Sequence, residues 1–368
     1  EMLRIAFRDL CGWSNLAETV ADLSSMADTC LAQTAEILTR WLSDQYGAPT
    51  AADGSRQQLV VLGLGKLGAR ELNFSSDIDL IFAYPKAGDT RGAKALIDND
   101  EFFLRRCRRL IKVIGQPTAD GFVFRVDTRL RPFGESGPLV MDFETMERYY
   151  QEQGREWERY AMIKARVVAG DQEHGEQLMA MLRPFVYRRY LDFGPIESLR
   201  NMKQLISQEL KRKGMADNIK LGPGGIREIE FIGQAFQLIR GGRDPELQIR
   251  PIQMVLWLLA EKSLLPEYVV KELVAAYRYL RFVENRVQAW QDRQTHLLPE
   301  DDLGRLRLAR AMDCDNWEAF SQQLDHHRQR VQGHFDKVFA APQTEAESED
   351  RRFEDIWRQH VEGTQAQQ

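Results

Sequence analysis

The stretch QLVVLGLGKLGARELNFSSDIDLIFAY, residues 58–84, sets the reading of the whole chain. It predicts a strand, a glycine turn, a short helix and a second strand that carries Asp77 and Asp79. Side chains alternate between the two faces of a strand. Asp77, Asp79 and Ile81 therefore share one face, and Ile78, Leu80 and Phe82 take the other. Two carboxylates side by side on an apolar strand repel each other and resist desolvation. A bound cation offsets both effects, and hard carboxylate oxygens suit Mg²⁺. The alternative is a strand end bearing two solvated acids.

Upstream of the pair, LGLGKLG at 62–68 lets the backbone turn tightly and approach a ligand. The turn also opens a helix, whose N-terminal end favours anions. It matches GxGxxG, but the dinucleotide fingerprint wants an acid about 20 residues on, at the end of the second strand. Here the acids stand at the beginning of that strand, and position 84 is Tyr. A Walker A loop fails as well, because Leu67 stands where Ser or Thr is required.

A third acid comes from GFVFRVDTRLR at 121–131, which alternates as a strand. Val123, Arg125, Asp127 and Arg129 fall on one face. Paired beside 76–83, this segment would bring Asp127 to Asp77 and Asp79. Three carboxylates can hold two Mg²⁺ ions for in-line displacement at phosphorus. Arg125, Arg129 and Arg131 add cations suited to phosphate oxygens. The competing reading is a salt-bridged, exposed strand face, which explains the glycine turn less well.

A glycine turn, Ser-Asp-Ile-Asp on a strand and a later Asp on a neighbouring strand resemble the polymerase-β-type nucleotidyltransferase superfamily. Longer segments are more specific. GLGKLGARELNFSSDIDLIFAY, RVDTRLRPFGESGPLV, YYQEQGREWERYAMIKARVVAG and NIKLGPGGIREIEFIGQAFQLIRGGR resemble the glutamine synthetase adenylyltransferase/adenylyl-removing family over about 1–340. The wording is closer to the N-terminal, adenylyl-removing half of that family.

The resemblance implies an α+β fold: a polymerase-β-like nucleotidyltransferase core flanked by helices, followed by an all-helical C-terminal domain. It implies Mg²⁺-dependent phosphorolysis, in which inorganic phosphate removes AMP from a tyrosine of adenylylated glutamine synthetase and ADP leaves. Asp77, Asp79 and Asp127 would hold two Mg²⁺; Gly65, Lys66 and Ser76 would hold phosphates; Arg125, Arg129 and Arg131 would capture inorganic phosphate. Implied partners are adenylylated glutamine synthetase, the uridylylated PII signal-transduction protein, an adenine nucleotide and a covalently attached C-terminal adenylyltransferase half. Two other functions stay open: attachment of AMP from ATP, and a non-catalytic nucleotide-sensing module. Retention of all three acids argues against the second.

The remaining chain frames this site. A length of 368 residues exceeds one ordinary domain. The expected partition is a helical segment at 1–50, the catalytic core at 51–170, a helical domain at 171–342, and an acidic linker with the start of a following segment at 343–368. A net charge of −5 argues against a dedicated nucleic-acid binder. There is no apolar run of about 18 residues to span a membrane and no signal peptide. The four cysteines show no metal spacing and read as free thiols, and the location implied is cytoplasmic. The chain starts within a helical pattern and ends in a polar tail, which reads as a fragment of something longer.

Helices are expected over 1–46, 98–115, 143–153, 155–168, 179–213, from 226, twice within 251–290, and over 316–339 with Asp315 as a cap; 353–361 reads as a short one. Loops or turns are expected at 48–56, 85–91, 117–121 and 132–138. The last would either wall a nucleotide pocket or simply connect. Arg105, Arg106, Arg108 and Arg109 read as a solvated face. Lys164 and Arg166 read first as side chains snorkelling at a helix edge and second as phosphate ligands. Glu228 and Glu230 read as surface acids rather than cleft acids. The six histidines lack zinc spacing and read as surface residues.

Overall fold

A computed structural model describes residues 1–93, 95–119, 121–188, 217–290 and 294–339. The chain forms two compact units, Glu1–Tyr190 and Leu191–Gln368. The first is mixed α and β; the second is helical among its described residues apart from one isolated bridge, Asn218 to Leu297.

In the first unit, α1 (Met2–Leu10) leads into α2 (Leu16–Tyr46). Asn15 caps α2 by accepting the Glu18 N–H at 3.0 Å. Leu23, Ala27, Leu31, Ala35, Leu38 and Leu42 recur at helical spacing and are buried along one stripe. That stripe packs with Phe102, Phe103, Leu110 and Ile114 of α4 (Asn99–Gly115) against the sheet. Asp98 caps α4, accepting from Glu101 N at 2.7 Å.

The sheet is centred on β3 (Ile78–Tyr84). β2 (Val60–Gly63) runs antiparallel along one edge and carries β7 (Arg166–Gly170) beyond it. β5 (Val126–Asp127) and β6 (Val140–Asp142) both lie parallel along the other edge. β5 pairs with Ile78 and Asp79, β6 with Phe82, Ala83 and Tyr84. Ile78, Leu80, Phe82 and Tyr84 belong to the core beneath α2 and α4, so strand alternation puts Asp79 on the opposite face. Each fully buried Leu or Phe there contributes about 1.5–3 kcal/mol. The remaining helices are α3 (Gly65–Gly68), α5 (Phe143–Glu152), α6 (Glu156–Met162) and α7 (Gln172–Val186).

Several elements differ from the sequence reading. The expected loop at 48–56 and turn at 85–91 contain β1 (Ala48–Ala51) and β4 (Gly88–Arg91), which pair with each other. Four residues each, Ala-Pro-Thr-Ala and Gly-Asp-Thr-Arg, are too short and too poor in large apolar side chains to show an alternation. The helix expected over 155–168 stops at Met162, and β7 takes the β-branched Val167 and Val168 beside β2. Of 121–131 only two residues pair as a strand. α7 begins seven residues before the start expected, capped by Asp171, and ends at Val186, well short of the expected end at 213; residues 189–216 lie outside the described residues, as do 343–368. Arg106 is buried rather than solvated, donating to Ala35 O at 2.9 Å.

The second unit comprises α8 (Ile226–Arg240), α9 (Ile252–Glu261), α10 (Glu267–Ala289), α11 (Asp302–Ala311) and α12 (Trp317–Phe339). α11 was not anticipated. Asn316, not Asp315, caps α12, accepting from Ala319 N at 2.9 Å. His334 is buried rather than superficial and bonds Glu272 at 2.7 Å. The four cysteines are free thiols. No described helix is long and apolar enough to cross a membrane.

Candidate functional site

β2 ends at Gly63, and the chain turns at Gly65 with φ +54°. A Cβ at Gly65 would stand 2.5 Å from Asp79 Oδ2, so only glycine lets this carboxylate lie against the turn. The backbone adds a bond: Leu64 N donates to Asp79 O at 2.9 Å. Lys66 and Ser76 are half-buried on either side of this approach in sequence.

Asp77 stands just before β3. Its Oδ1 is buried, makes no hydrogen bond, and lies 3.4 Å from Arg125 Nε. Asp79 is half-buried, and its Cα partner in the parallel register is Asp127. The bond from Ile78 N to Arg125 O, 2.8 Å, fixes that register. The sequence-predicted juxtaposition of β3 with the Asp127 segment is thus present, although the strand is short.

Asp127 points at Arg129. It accepts the Arg129 backbone N–H at 2.8 Å and the side-chain Nε at 2.8 Å. Burial pushes the Asp127 carboxyl up, but the Arg129 hydrogen bonds and charge, with Arg131 behind them, outweigh it and hold the group below the usual carboxylate range. Among the described residues no three His, Cys, Asp or Glu side chains are gathered closely enough to hold a metal ion as they stand. The Arg129 pairing is one reason: it turns the third carboxylate onto a guanidinium.

The three arginines have distinct surroundings. Arg125 donates to Ser75 O at 3.1 Å and to Ser75 Oγ, and lies over the Phe122 ring. Arg131 braces the loop that follows: it donates to Thr128 O at 2.9 Å, Glu135 O at 3.0 Å and Gly137 O at 3.3 Å. Within that loop Phe133 adopts φ +62° and remains 44% exposed while its ring packs on Tyr149. Only Arg129 has a largely exposed side chain, at 67%.

Lys164 is buried and ion-paired with buried Glu71 at 3.7 Å, and Arg166 pairs with Asp28 of α2 at 2.9 Å. Neither is a side chain snorkelling at a helix edge. Glu228, in the second unit, accepts Gly224 N at 2.9 Å and so closes the start of α8. Sequence reasoning missed Asp28 altogether, because nothing local in a helix stripe marks a residue that bonds a strand so far along the chain.

Residues 1–181 match the glutamate-ammonia ligase adenylyltransferase family. Residues 200–339 match the GlnD PII-uridylyltransferase family. The chain is 59% identical over 97% of its length to a protein of Nitrosococcus oceani, 60% over 94% to one of Thioalkalivibrio sulfidiphilus, and 57% over 95% to one of Pseudomonas aeruginosa. Each relative is named a bifunctional glutamine synthetase adenylyltransferase/adenylyl-removing enzyme. The chain spans 36–37% of the length of these three proteins.

Proposed function

We propose, on the premise that the chain belongs to the bifunctional glutamine synthetase adenylyltransferase/adenylyl-removing family and matches its N-terminal half, that it carries the adenylyl-removing activity. The first unit would then be a polymerase-β-type nucleotidyltransferase core. Its substrates would be adenylylated glutamine synthetase and inorganic phosphate, and its products ADP and the free tyrosine.

The observation that carries this reading is the placing of Asp77, Asp79 and Asp127 in neighbouring positions at the start of β3 and in β5, from which the three carboxylates would have to draw together to hold an ion. Two are register partners on adjacent strands, and the third holds a buried oxygen with no hydrogen bond. Such a donor set fits a hard divalent cation. Asp77 and Asp79 would hold Mg²⁺, and Asp127 would join them by exchanging Arg129 for the ion. When bound, Mg²⁺ supplies charge neutralisation at the attacking and leaving oxygens.

The chain's own residues do the rest. Gly65 lets phosphate oxygens approach the backbone beside Asp79, with Lys66 and Ser76 next to them. Arg129, once released from Asp127, is free to pair with inorganic phosphate, so that the anion meets a cation and not only the acids. Arg125 keeps Asp77 oriented through its contact with that carboxylate. The tyrosine phenol, with an ordinary pKa of about 10, leaves readily once its developing charge is stabilised. The match of residues 200–339 to a PII-uridylyltransferase family supports a regulatory role for the helical unit, with uridylylated PII as its proposed partner.

The test is direct. Incubated with adenylylated glutamine synthetase, phosphate and Mg²⁺, the chain should release ADP in proportion to phosphate. Incorporation of labelled AMP from ATP into unmodified glutamine synthetase, without phosphate-dependent release, would overturn the reading in favour of attachment.

A further inference from the structure

We infer that Asp28 and Arg166 form a positioning clamp that holds the glycine turn in register with the acids, a role that rests on the function proposed above. α3 is a single turn, too short to be stable by itself. Its place must come from bonds outside it, and Arg166 supplies them. The guanidinium donates to Gly68 O at 3.2 Å and to Leu67 O at 3.0 Å, the carbonyls at the C-terminal end of the turn. It also donates to Val167 O at 3.4 Å and, through two nitrogens, to both Asp28 oxygens at 2.9 and 3.0 Å.

Every Arg166 nitrogen is therefore engaged, which removes the residue from phosphate capture. The pair is mostly buried, with side-chain exposures of 15% and 18%. The planar fork suits this task because it reaches two carbonyls and a carboxylate at once. A cation at the C-terminal end of the turn also complements the partial negative charge of those carbonyls.

Other contacts leave the turn little freedom elsewhere. A Cβ at Gly68 would stand 2.0 Å from Lys164 O, so the turn lies flush against the segment that leads into β7. Arg70 ends the turn with φ +59° and lies 3.9 Å from the same Asp28. Glu71 N closes back on Lys66 O at 2.7 Å, while the Glu71 side chain pairs with Lys164. At the other end, Gly65 faces Asp79. The clamp thus runs from α2 through Arg166 to the turn that carries Gly65 and Lys66. Neither Asp28 nor Arg166 touches the acids, so both act through the turn.

Loosening the turn should misplace it by a fraction of an ångström to an ångström, which can lower a rate by about 100-fold. Arg166→Ala should lower kcat about 10- to 100-fold, with KM for adenylylated glutamine synthetase within about twofold of the parent. Arg166→Lys keeps a charge for Asp28 but not the fork, and should recover only part of the loss. Hydrogen exchange supplies a readout independent of turnover: amides of 64–70 should exchange faster in Arg166→Ala while those of β3 stay protected. Asp28→Asn, which keeps one acceptor, gives a milder version should the alanine variant fold poorly. Unchanged exchange of 64–70 in Arg166→Lys and Asp28→Asn, or loss of rate only in step with lost folded protein, would overturn the clamp. If the parent chain releases no ADP, the proposed function fails, and amide exchange still decides the clamp.

Discussion

Asp79 and Asp127 are register partners across the parallel pairing of β3 with β5, and Asp79 alone of the two meets the glycine turn. Asp127 instead turns to Arg129, so one carboxylate of the pair is engaged by a guanidinium and the other lies against a backbone turn. Without a cation each of two acids already has a cationic neighbour: Asp127 is paired with Arg129, and Asp77 lies 3.4 Å from Arg125.

Asp79→Asn or Asp77→Asn should therefore separate activity from stability. Each removes an anionic ligand, and the rate of ADP release should fall below about 1% of the parent value. Asparagine keeps the size of the side chain and one acceptor oxygen, so the melting temperature measured in a chelator should stay within a few degrees of the parent. An Asp79→Asn protein releasing ADP at near the parent rate would remove these acids from the chemistry.

The basic run of α4 divides where the sequence reading treated it as uniform. Arg106 is buried against α2, its Nε makes no hydrogen bond, and burial pushes its pKa down to about 10. Arg106→Ala should lose the bond to Ala35 O and leave a void, destabilising by about 2–3 kcal/mol in denaturant titration. Arg106→Leu, which fills space without a buried charge, should destabilise less. Arg108→Ala, on the exposed side, should stay within about 0.5 kcal/mol. Equal effects at both positions would contradict this assignment.

What was legible in the sequence followed from strong local signals. The helices α2, α4, α5, α8, α9, α10 and α12 announced themselves by apolar spacing, caps and glycine or proline stops. The turn at Gly65 and the strand that begins between Asp77 and Asp79 were legible because glycines mark a turn and the apolar run that follows marks a buried strand. Arg106 was not, because four arginines in five positions look solvated unless the packing of α2 is known. β7 was not, because residues 155–168 fit a helix until Gly170 and pairing with β2 are taken into account. The role of Arg166 depended on Asp28, and a bond between such distant positions leaves no mark in a single sequence.

The buried and half-buried histidines of the second unit carry a pH prediction. Burial lowers the pKa of His334; Glu272 opposes this in part, and Lys337 and Arg330 reinforce it. Burial, then His326 and Arg330, lowers that of His327. Both therefore favour the neutral form when folded, whereas the unfolded chain protonates near about 6.5. The stabilisation is complete above that value and declines as pH falls through it toward the folded pKa values. Calorimetric melts between pH 7.5 and 5 should show the decline, and His334→Gln, whose amide can donate to Glu272, should reduce it. Superimposable pH profiles for parent and variant would remove His334 from the account.

The three site arginines should differ in kinetics as they differ in contacts. Arg131 is bound to the carbonyls of Thr128, Glu135 and Gly137, so Arg131→Ala should loosen that loop and lower thermal stability. Arg125 bonds Ser75 and contacts Asp77, so Arg125→Ala should act on kcat by misorienting an acid. Arg129 is the exposed one, and its interaction with Asp127 must yield if that carboxylate is to take a cation. Arg129→Ala should raise the phosphate concentration for half-maximal rate about tenfold, a loss of about 1.4 kcal/mol in binding. It should at the same time lower the Mg²⁺ concentration required, because Asp127 no longer has to release a guanidinium. A charge that only steered phosphate from a distance would change the first quantity and leave the second alone. Steady-state titrations of phosphate at fixed Mg²⁺, and of Mg²⁺ at saturating phosphate, separate the two. If Arg131→Ala and not Arg129→Ala shifts the phosphate titration, capture lies with the loop arginine, and Arg129 serves only to occupy Asp127.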